Sequence, residues 1–194
     1  MALIPEFVIQ NIHWFYVVIS AFTTLALVFG DWDFEASAYL HAGVSFWSGL
    51  IYLNFIYEVF PVGLTPYADW ILSTPLIILA FGLSVEKEIT SRLAYATLSQ
   101  MAVVVFGLLS VAFGMNLFFF ALSTVAMVIM LSLVFWITFE EYPQLYVLLT
   151  ATWIAYPIIF VLYGGKLAEA TLPLIILPLF SKHLFSIIHS SRAE

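Results

Sequence analysis

The stretch YADWILSTPL, from Tyr67 to Leu76, decides which fold this chain can adopt. It places one carboxylate, Asp69, inside an apolar segment in which no neighbouring residue neutralises it. A charge in such a segment needs a partner, because an unpaired ion in the hydrocarbon of a bilayer is costly. The candidate partner is Lys182, in the middle of another apolar segment, LPLFSKHLFSII.

The composition assigns the chain to a lipid bilayer. Of its 194 residues, 64% are hydrophobic and only 9% are charged, which excludes an ordinary water-soluble domain. Apolar runs of about 20 residues, the length that crosses a bilayer, occur at 7–29, 36–57, 66–84, 92–113, 116–138, 144–163 and 168–189. We therefore expect an all-α membrane protein in which residues 1–194 form a single domain, a bundle of seven transmembrane helices with short loops.

Charge and cysteine usage narrow the class further. The chain has no cysteine, which removes disulfides, thiol nucleophiles and sulfur-ligated metals, and we predict no metal site. Its net charge of −7 argues against nucleic acid as a partner. The first apolar run lacks a basic leader and a cleavage site, so we expect it to be the first helix. With the amino terminus outside, Lys87, Arg92 and Arg192 face the cytoplasm and Lys166 faces out, as the positive-inside rule favours.

Lys182 lies about ten residues inside its apolar run, too deep to reach either membrane surface comfortably. A carboxylate about 4 Å from a buried cation stabilises it by roughly 4 kcal/mol at a moderate effective dielectric. Two alternatives stay open. Lys182 can be a snorkelling lysine near a helix end, and Asp69 can cap a helix whose first turn contains Pro66.

Together with the aromatic segment TWIAYP, Thr152 to Pro157, these two segments resemble a microbial rhodopsin. The resemblance implies that Lys182 carries all-trans retinal as a protonated Schiff base and that Asp69 is its counterion. It also implies that the protein is integral to the cell membrane and that its partners are the lipid bilayer and protons. Family analogy adds a homo-oligomer, expected to be a trimer.

The resemblance places a retinal pocket on four of the helices. Its predicted residues are Trp70, Thr74 and Pro75 on helix three, Phe120, Ser123 and Met127 on helix five, Trp153, Tyr156, Pro157 and Phe160 on helix six, and Pro178 and Lys182 on helix seven. Phe120 and Phe160 depart from the family's usual residues, which is expected to shift colour or loosen the ring. Aromatic stripes at helical spacing are also typical of simple core packing.

Asp69, Ser73 and Ala80 share one face of helix three, because residues four and eleven positions on are rotated by only about 40° and 20°. In the family these positions hold the counterion, a hydroxyl and, in outward proton pumps, a carboxylic acid. Ala80 therefore argues against an outward pump. Pro178, where most members carry a second aspartate, resembles the xenorhodopsin branch, which includes light-driven inward proton pumps and a photosensor.

His41 aligns with the cytoplasmic histidine of that branch. His189, seven residues beyond Lys182, lies about 20° off its face and roughly 10 Å toward the cytoplasm, so it is expected near His41. The branch usually carries an aspartate at the position of His189, and two histidines would replace a histidine and carboxylate pair. The alternative for His41 is an interfacial histidine satisfied by a loop. His183, rotated about 100° from Lys182, is expected to be structural or interfacial.

Immediately before YADW the family usually has an arginine, whereas this chain has Pro66. The charges of one Schiff-base cation and the Asp69 anion still sum to zero without an arginine at this position. The outer path would be more open to water, with Glu58, Glu169 and Tyr52 as its remaining polar candidates.

The leading hypothesis is a retinal protein that pumps protons inward, releasing them toward His41 and His189 and taking them up from outside. A photosensor that signals to a transducer is the first alternative, and a light-gated proton channel is the second. A transporter without retinal that uses Asp69 and Lys182 as an ion lock is the last. None of these is an enzyme.

Overall fold

The computed structural model describes residues 6–32, 35–166 and 170–191. Within these ranges it contains seven long helical elements, so the prediction of an all-α seven-helix bundle is confirmed. They are α1 (Glu6–Phe29), α2 (Glu35–Tyr52, followed by a single turn at Asn54–Tyr57), α3 (Thr65–Glu86), α4 (Ser91–Ala112), α5 (Leu117–Thr138), α6 (Pro143–Leu162) and α7 (Thr171–Pro178, a π-helical turn at Leu179–Leu184, and Phe185–Ser190).

Six helices in the described part of the chain are long and apolar enough to cross a membrane, judged by length and composition. The exception is α2, whose interior face carries the buried polar side chains Ser37, His41, Ser45 and Ser48. The predicted spans agree closely with the observed helices. The predicted start of the seventh span, residue 168, lies outside the described residues.

Polar residues and proline mark where several helices begin. Thr90 Oγ1 accepts a hydrogen bond from the Leu93 amide at 3.2 Å at the start of α4. Asn116 Oδ1 accepts from the Phe118 amide at 3.0 Å at the start of α5. Both bonds satisfy backbone donors that have no partner within the helix. Pro143 opens α6, where its missing N–H group costs nothing.

The bundle places large apolar side chains on its outside and many polar side chains within. Phe22, Phe29 and Trp136 are 68%, 81% and 74% exposed, respectively, as expected for a lipid-facing surface. Consecutive helices pack as antiparallel neighbours, and α3 and α7 both contribute many of the buried residues, including the charged ones. This arrangement leaves a polar centre surrounded by apolar layers.

Candidate functional site

Asp69 and Lys182 meet in the interior of the bundle. Their side chains are 0% and 1% exposed, and Lys182 Nζ donates to Asp69 Oδ2. Asp69 lies one turn inside α3 and its carboxylate accepts from side chains, so it does not cap the helix. Lys182 is buried, so it does not snorkel to a surface. The structure thus brings the two charged residues together as an ion pair.

Two hydroxyl groups complete the surroundings of the amine. Lys182 Nζ donates to Ser73 Oγ at 2.7 Å and to Ser48 Oγ at 3.0 Å, and Ser48 donates in turn to Asp69 Oδ1 at 2.6 Å. All three protons of an ammonium group are therefore used. Sequence analysis missed Ser48. The signal for it was the run of polar residues at helical spacing on α2, Ser37, His41, Ser45 and Ser48.

A change of helix type positions Lys182. The residue lies in the π-helical turn Leu179–Leu184, which follows directly after Pro178. π-Helical turns are rare and often occur at functional sites. A proline disturbs the helical turn that precedes it, whereas the irregular turn here lies after Pro178. Pro178 is buried in the same element but does not line the cavity described next.

A cavity opens among α3, α4, α5 and α6, beside the ion pair. It holds about 710 Å³ of space free of atoms, part of it open to the surface. Nine predicted pocket residues line it: Trp70, Thr74, Phe120, Ser123, Met127, Trp153, Tyr156, Pro157 and Phe160. Pro75 and Lys182, also predicted, are buried beside the cavity and do not line it.

The wall also contains residues that sequence analysis did not single out, namely Tyr67, Gln100, Val103, Val104, Gly107 and Thr124. Gln100 Nε2 donates to Thr74 Oγ1 at 2.8 Å and so ties α4 to α3. A lone amide within the apolar α4 was the signal that could have found it. The Phe120 and Phe160 rings stack with centroids 5.2 Å apart and an interplanar angle of 8°.

This cavity fits a long apolar ligand that ends near an amine. Its wall is mainly aromatic and aliphatic, and it reaches Thr74 and Tyr156 next to the ion pair. Thr74 follows Ser73, and the Tyr156 hydroxyl lies 3.3 Å from Ser181 Oγ, next to Lys182 in the chain. Within the described ranges, Trp70 Nε1, Tyr67 Oη and Gln100 Oε1 are buried without a hydrogen-bond partner. The residues present therefore fit retinal, with Lys182 as the candidate attachment point.

At the far end of α7 two histidines form a buried pair. His41 Nε2 lies 2.8 Å from His189 Nδ1, and their side chains are 0% and 1% exposed. Ser186 Oγ is 3.0 Å from His41 Nδ1, and Ser84 Oγ is 2.9 Å from His189 Nε2. His41 is therefore held in the interior by side chains of α7. The alternative, an interfacial histidine bound by a loop, is wrong.

The remaining predicted polar residues lie in different surroundings. His183 is buried and lies between Ser20 of α1 and Ser45 of α2. Tyr52 donates to the Leu174 carbonyl at 2.5 Å, whereas Glu58 is exposed at the end of its helical turn. Glu169 lies outside the described residues. Pro66 occupies the first turn of α3, one turn before Asp69.

Solved structures similar to this chain all share the seven-helix fold. Halorhodopsin from Halobacterium salinarum, crystallised with bromide, is 20% identical with a TM-score of 0.80, covering 93% of this chain and 91% of that chain. The light-driven proton pump from Coccomyxa subellipsoidea is 18% identical with a TM-score of 0.81, covering 96% and 97%. Thermophilic rhodopsin from Rubrobacter xylanophilus is 22% identical with a TM-score of 0.81, covering 95% and 96%. No curated protein sequence matches this chain.

Sequence comparison goes beyond the fold. The model of the bacteriorhodopsin-like protein family matches residues 7–193, which is nearly the whole chain. The match includes both Asp69 and Lys182 and every helix of the bundle. The chain therefore belongs to the bacteriorhodopsin-like protein family.

Proposed function

We propose that this chain is a retinal-binding, light-driven proton transporter that moves protons inward. Membership of the rhodopsin family implies a retinal chromophore and transport across a membrane in place of enzymatic catalysis. All-trans retinal, attached through its aldehyde to the Lys182 amine, would supply the absorption of light and a transferable proton at the linking nitrogen. The buried amine beside the aromatic cavity supports this attachment.

Asp69 is proposed as the carboxylate that keeps this nitrogen positively charged in the dark. Its oxygens already accept from Lys182 and Ser48 inside a site shielded from water, where a charge pair is strong. The Asp69 carboxylate already places a negative charge beside the Lys182 nitrogen, so a halide bound there would be repelled. This favours the proton as the transported ion.

The proposed orientation has the amino terminus outside. Lys87, which follows α3, and Arg92, in the first turn of α4, then lie at the cytoplasmic end, and Lys166 lies at the outer end after α6. This distribution agrees with the positive-inside rule. In this orientation α3 and α7 both run from outside to inside, so His189 lies on the cytoplasmic side of Lys182.

The observation that carries the direction of transport is the His41–His189 contact of 2.8 Å. A neutral imidazole accepts a proton near neutral pH, and a pair of rings in contact can share it. Burial makes a resting charge there costly, so the proton moves on toward the cytoplasm. Ala80, also fully buried, offers no group that could return a proton from that side. Release is therefore inward, and the Lys182–Asp69 site is refilled from outside.

The test is a measurement of external pH. Cells that express the chain receive retinal and are illuminated in unbuffered medium, with and without a protonophore. We expect alkalinisation that the protonophore abolishes, and no light response from the Lys182→Ala variant, which lacks the attachment amine. Acidification would overturn the proposed direction. A coloured pigment that leaves the pH unchanged would indicate a photosensor, and a current that reverses with the proton gradient would indicate a channel.

A further inference from the structure

The hydrogen bonds around the His41–His189 pair have a fixed direction, which begins at Ser84. Ser84 Oγ donates to the carbonyl oxygen of Phe81 at 2.7 Å, and the same Oγ lies 2.9 Å from His189 Nε2. A carbonyl oxygen only accepts, so the single hydroxyl hydrogen of Ser84 is used in the bond to Phe81. His189 Nε2 must therefore carry a hydrogen and donate it to Ser84, because the opposite arrangement would set two lone pairs against each other.

The neutrality of the two rings fixes the remaining nitrogens. Both rings are buried, and their hydrogen-bond partners among the described residues are serines and each other, so each ring is neutral at rest. A neutral imidazole carries one ring hydrogen, so His189 Nδ1 is bare. His41 Nε2 lies 2.8 Å from that nitrogen and must donate to it. By the same count His41 Nδ1 is bare, and it accepts from the Ser186 hydroxyl at 3.0 Å.

The other neighbours of His189 agree with this assignment. Ser37 Oγ lies 3.3 Å from His189 Nδ1 and 3.3 Å from the Ala80 carbonyl oxygen, and its hydroxyl hydrogen can serve either of these two acceptors. The remaining contacts of the ring are aromatic, at centroid distances of 5.2, 5.9 and 5.8 Å from Phe81, Tyr142 and Phe185. Ser84 is thus the described hydrogen-bond partner of Nε2, and it decides which nitrogen of His189 carries the hydrogen.

The two ends of this hydrogen-bonded row lie at different depths in the bundle. Ser186 lies one turn beyond Lys182 on α7. Ser84 lies in the last turn of α3, which ends at Glu86. The bare nitrogen of the pair, His41 Nδ1, is therefore at the Ser186 end, and the outermost N–H group, on His189, is at the end of α3.

We infer that Ser84 is a positioning residue that fixes the tautomers of both histidines and thereby makes His41 Nδ1 the nitrogen that accepts the transported proton. A proton that reaches the pair forms an N–H bond with the lone pair of Nδ1, and the pair gains one positive charge. The Ser186 hydroxyl turns, so that its oxygen accepts from the new N–H group. Breaking that N–H bond removes the charge and restores the resting tautomers. This role rests on the proposed inward transport.

The test compares two side chains of equal size at position 84. Ser84→Thr keeps the hydroxyl, whereas Ser84→Val fills the same space without one and leaves no room for a water molecule in its place. The matched control is Thr138→Val, which removes a buried hydroxyl that donates to its own helix at Val134 O, 2.9 Å away. The readout is the nitrogen-15 spectrum of the histidine rings in the full-length protein in lipid, which distinguishes a nitrogen that carries a hydrogen from a bare one.

We expect the wild type, Ser84→Thr and Thr138→Val to carry the hydrogen on Nε2 of both His41 and His189, with Nδ1 bare. In Ser84→Val, His189 Nε2 has no partner in either tautomer. The two arrangements of the pair then become similar in energy, so Nε2 should carry the hydrogen in only about half of the molecules. A hydrogen on Nδ1 of either ring in the wild type, or unchanged spectra in Ser84→Val, would overturn the assignment.

Flash-induced proton release from oriented vesicles that contain retinal gives a second readout. Where His41 Nδ1 already carries a hydrogen it cannot accept another, so the inward yield per flash should fall about twofold in Ser84→Val at an unchanged absorption band. Ser84→Thr should keep the wild-type yield. A wild-type yield in Ser84→Val, from a protein that transports inward, would overturn the accepting role of Nδ1 alone. Outward movement in the wild type would overturn the proposed function itself, whereas the spectra would still decide the tautomers.

Discussion

Replacing Asp69 with asparagine tests whether the buried pair carries full charges. The change keeps the size of the side chain but leaves the Lys182 ammonium group with only the hydroxyls of Ser48 and Ser73. Two unit charges about 4 Å apart interact by about 4 kcal/mol at an effective dielectric of 20. Removing one partner of a buried ion pair lowers the free energy of unfolding by about 3–5 kcal/mol. Because both hydroxyls remain, we expect the retinal-free variant to be less stable by ~3 kcal/mol.

The sign of the pH dependence follows from the same pair. In the Asp69→Asn variant the folded protein favours a neutral Lys182 amine, whereas the unfolded chain keeps it protonated up to about pH 10. The unfolded state then binds more protons than the folded state, so the variant gains stability as the pH rises. The loss relative to wild type should therefore be larger at pH 6 than at pH 9.

The assay is unfolding of the retinal-free protein in mixed detergent micelles at the two pH values. Glu58→Gln is the matched control, because it removes an exposed carboxylate at the end of the helical turn after α2 and should change stability little. A loss below about 1 kcal/mol, the level of a surface ion pair, would refute the reasoning. So would a loss that is the same at both pH values.

Three further changes have distinct expected results. Lys182→Arg keeps a cation opposite Asp69 but removes the primary amine that could react with an aldehyde. We therefore expect a folded protein that develops no visible absorption band when retinal is added. A hydroxylamine-sensitive band would contradict this. His41→Phe keeps the ring volume but removes the partner of His189, so inward flux should fall by about a hundredfold at an unchanged absorption band; wild-type flux would exclude the pair as acceptor. Phe160→Ala removes a ring from the cavity wall, and retinal should be lost faster in the dark; an unchanged lifetime would show that this ring does not hold it.

Local sequence patterns were enough to predict the helices. Apolar runs of membrane-spanning length gave spans that agree closely with the observed elements, because a bilayer forces each backbone segment to satisfy its own hydrogen bonds. The least apolar span, α2, was still placed correctly. The sequence analysis did not recognise that the polar residues of α2 share one helix face. It therefore did not predict Ser48 as a site residue, although Ser48 contacts both charged residues.

The surroundings of the histidines depended on packing. The approach of His189 to His41 was predicted from two sources. The family resemblance placed His41 at the cytoplasmic end, and helix geometry placed His189 about 20° off the face of Lys182 toward the same end. The same reasoning did not indicate that His183 would bridge Ser20 and Ser45. That contact involves α1, whose rotation and depth relative to α7 are set by side-chain packing and not by any spacing within one segment.

The sequence by itself determined the membrane location, the number of helices and the two charges that must pair, because hydrophobicity and the cost of a buried ion are properties of single segments. Only the tertiary structure decided which hydroxyls surround Lys182, which residues line the cavity, and that His183 bridges Ser20 and Ser45. These features arise between helices, where the distance and rotation of neighbours determine which side chains meet.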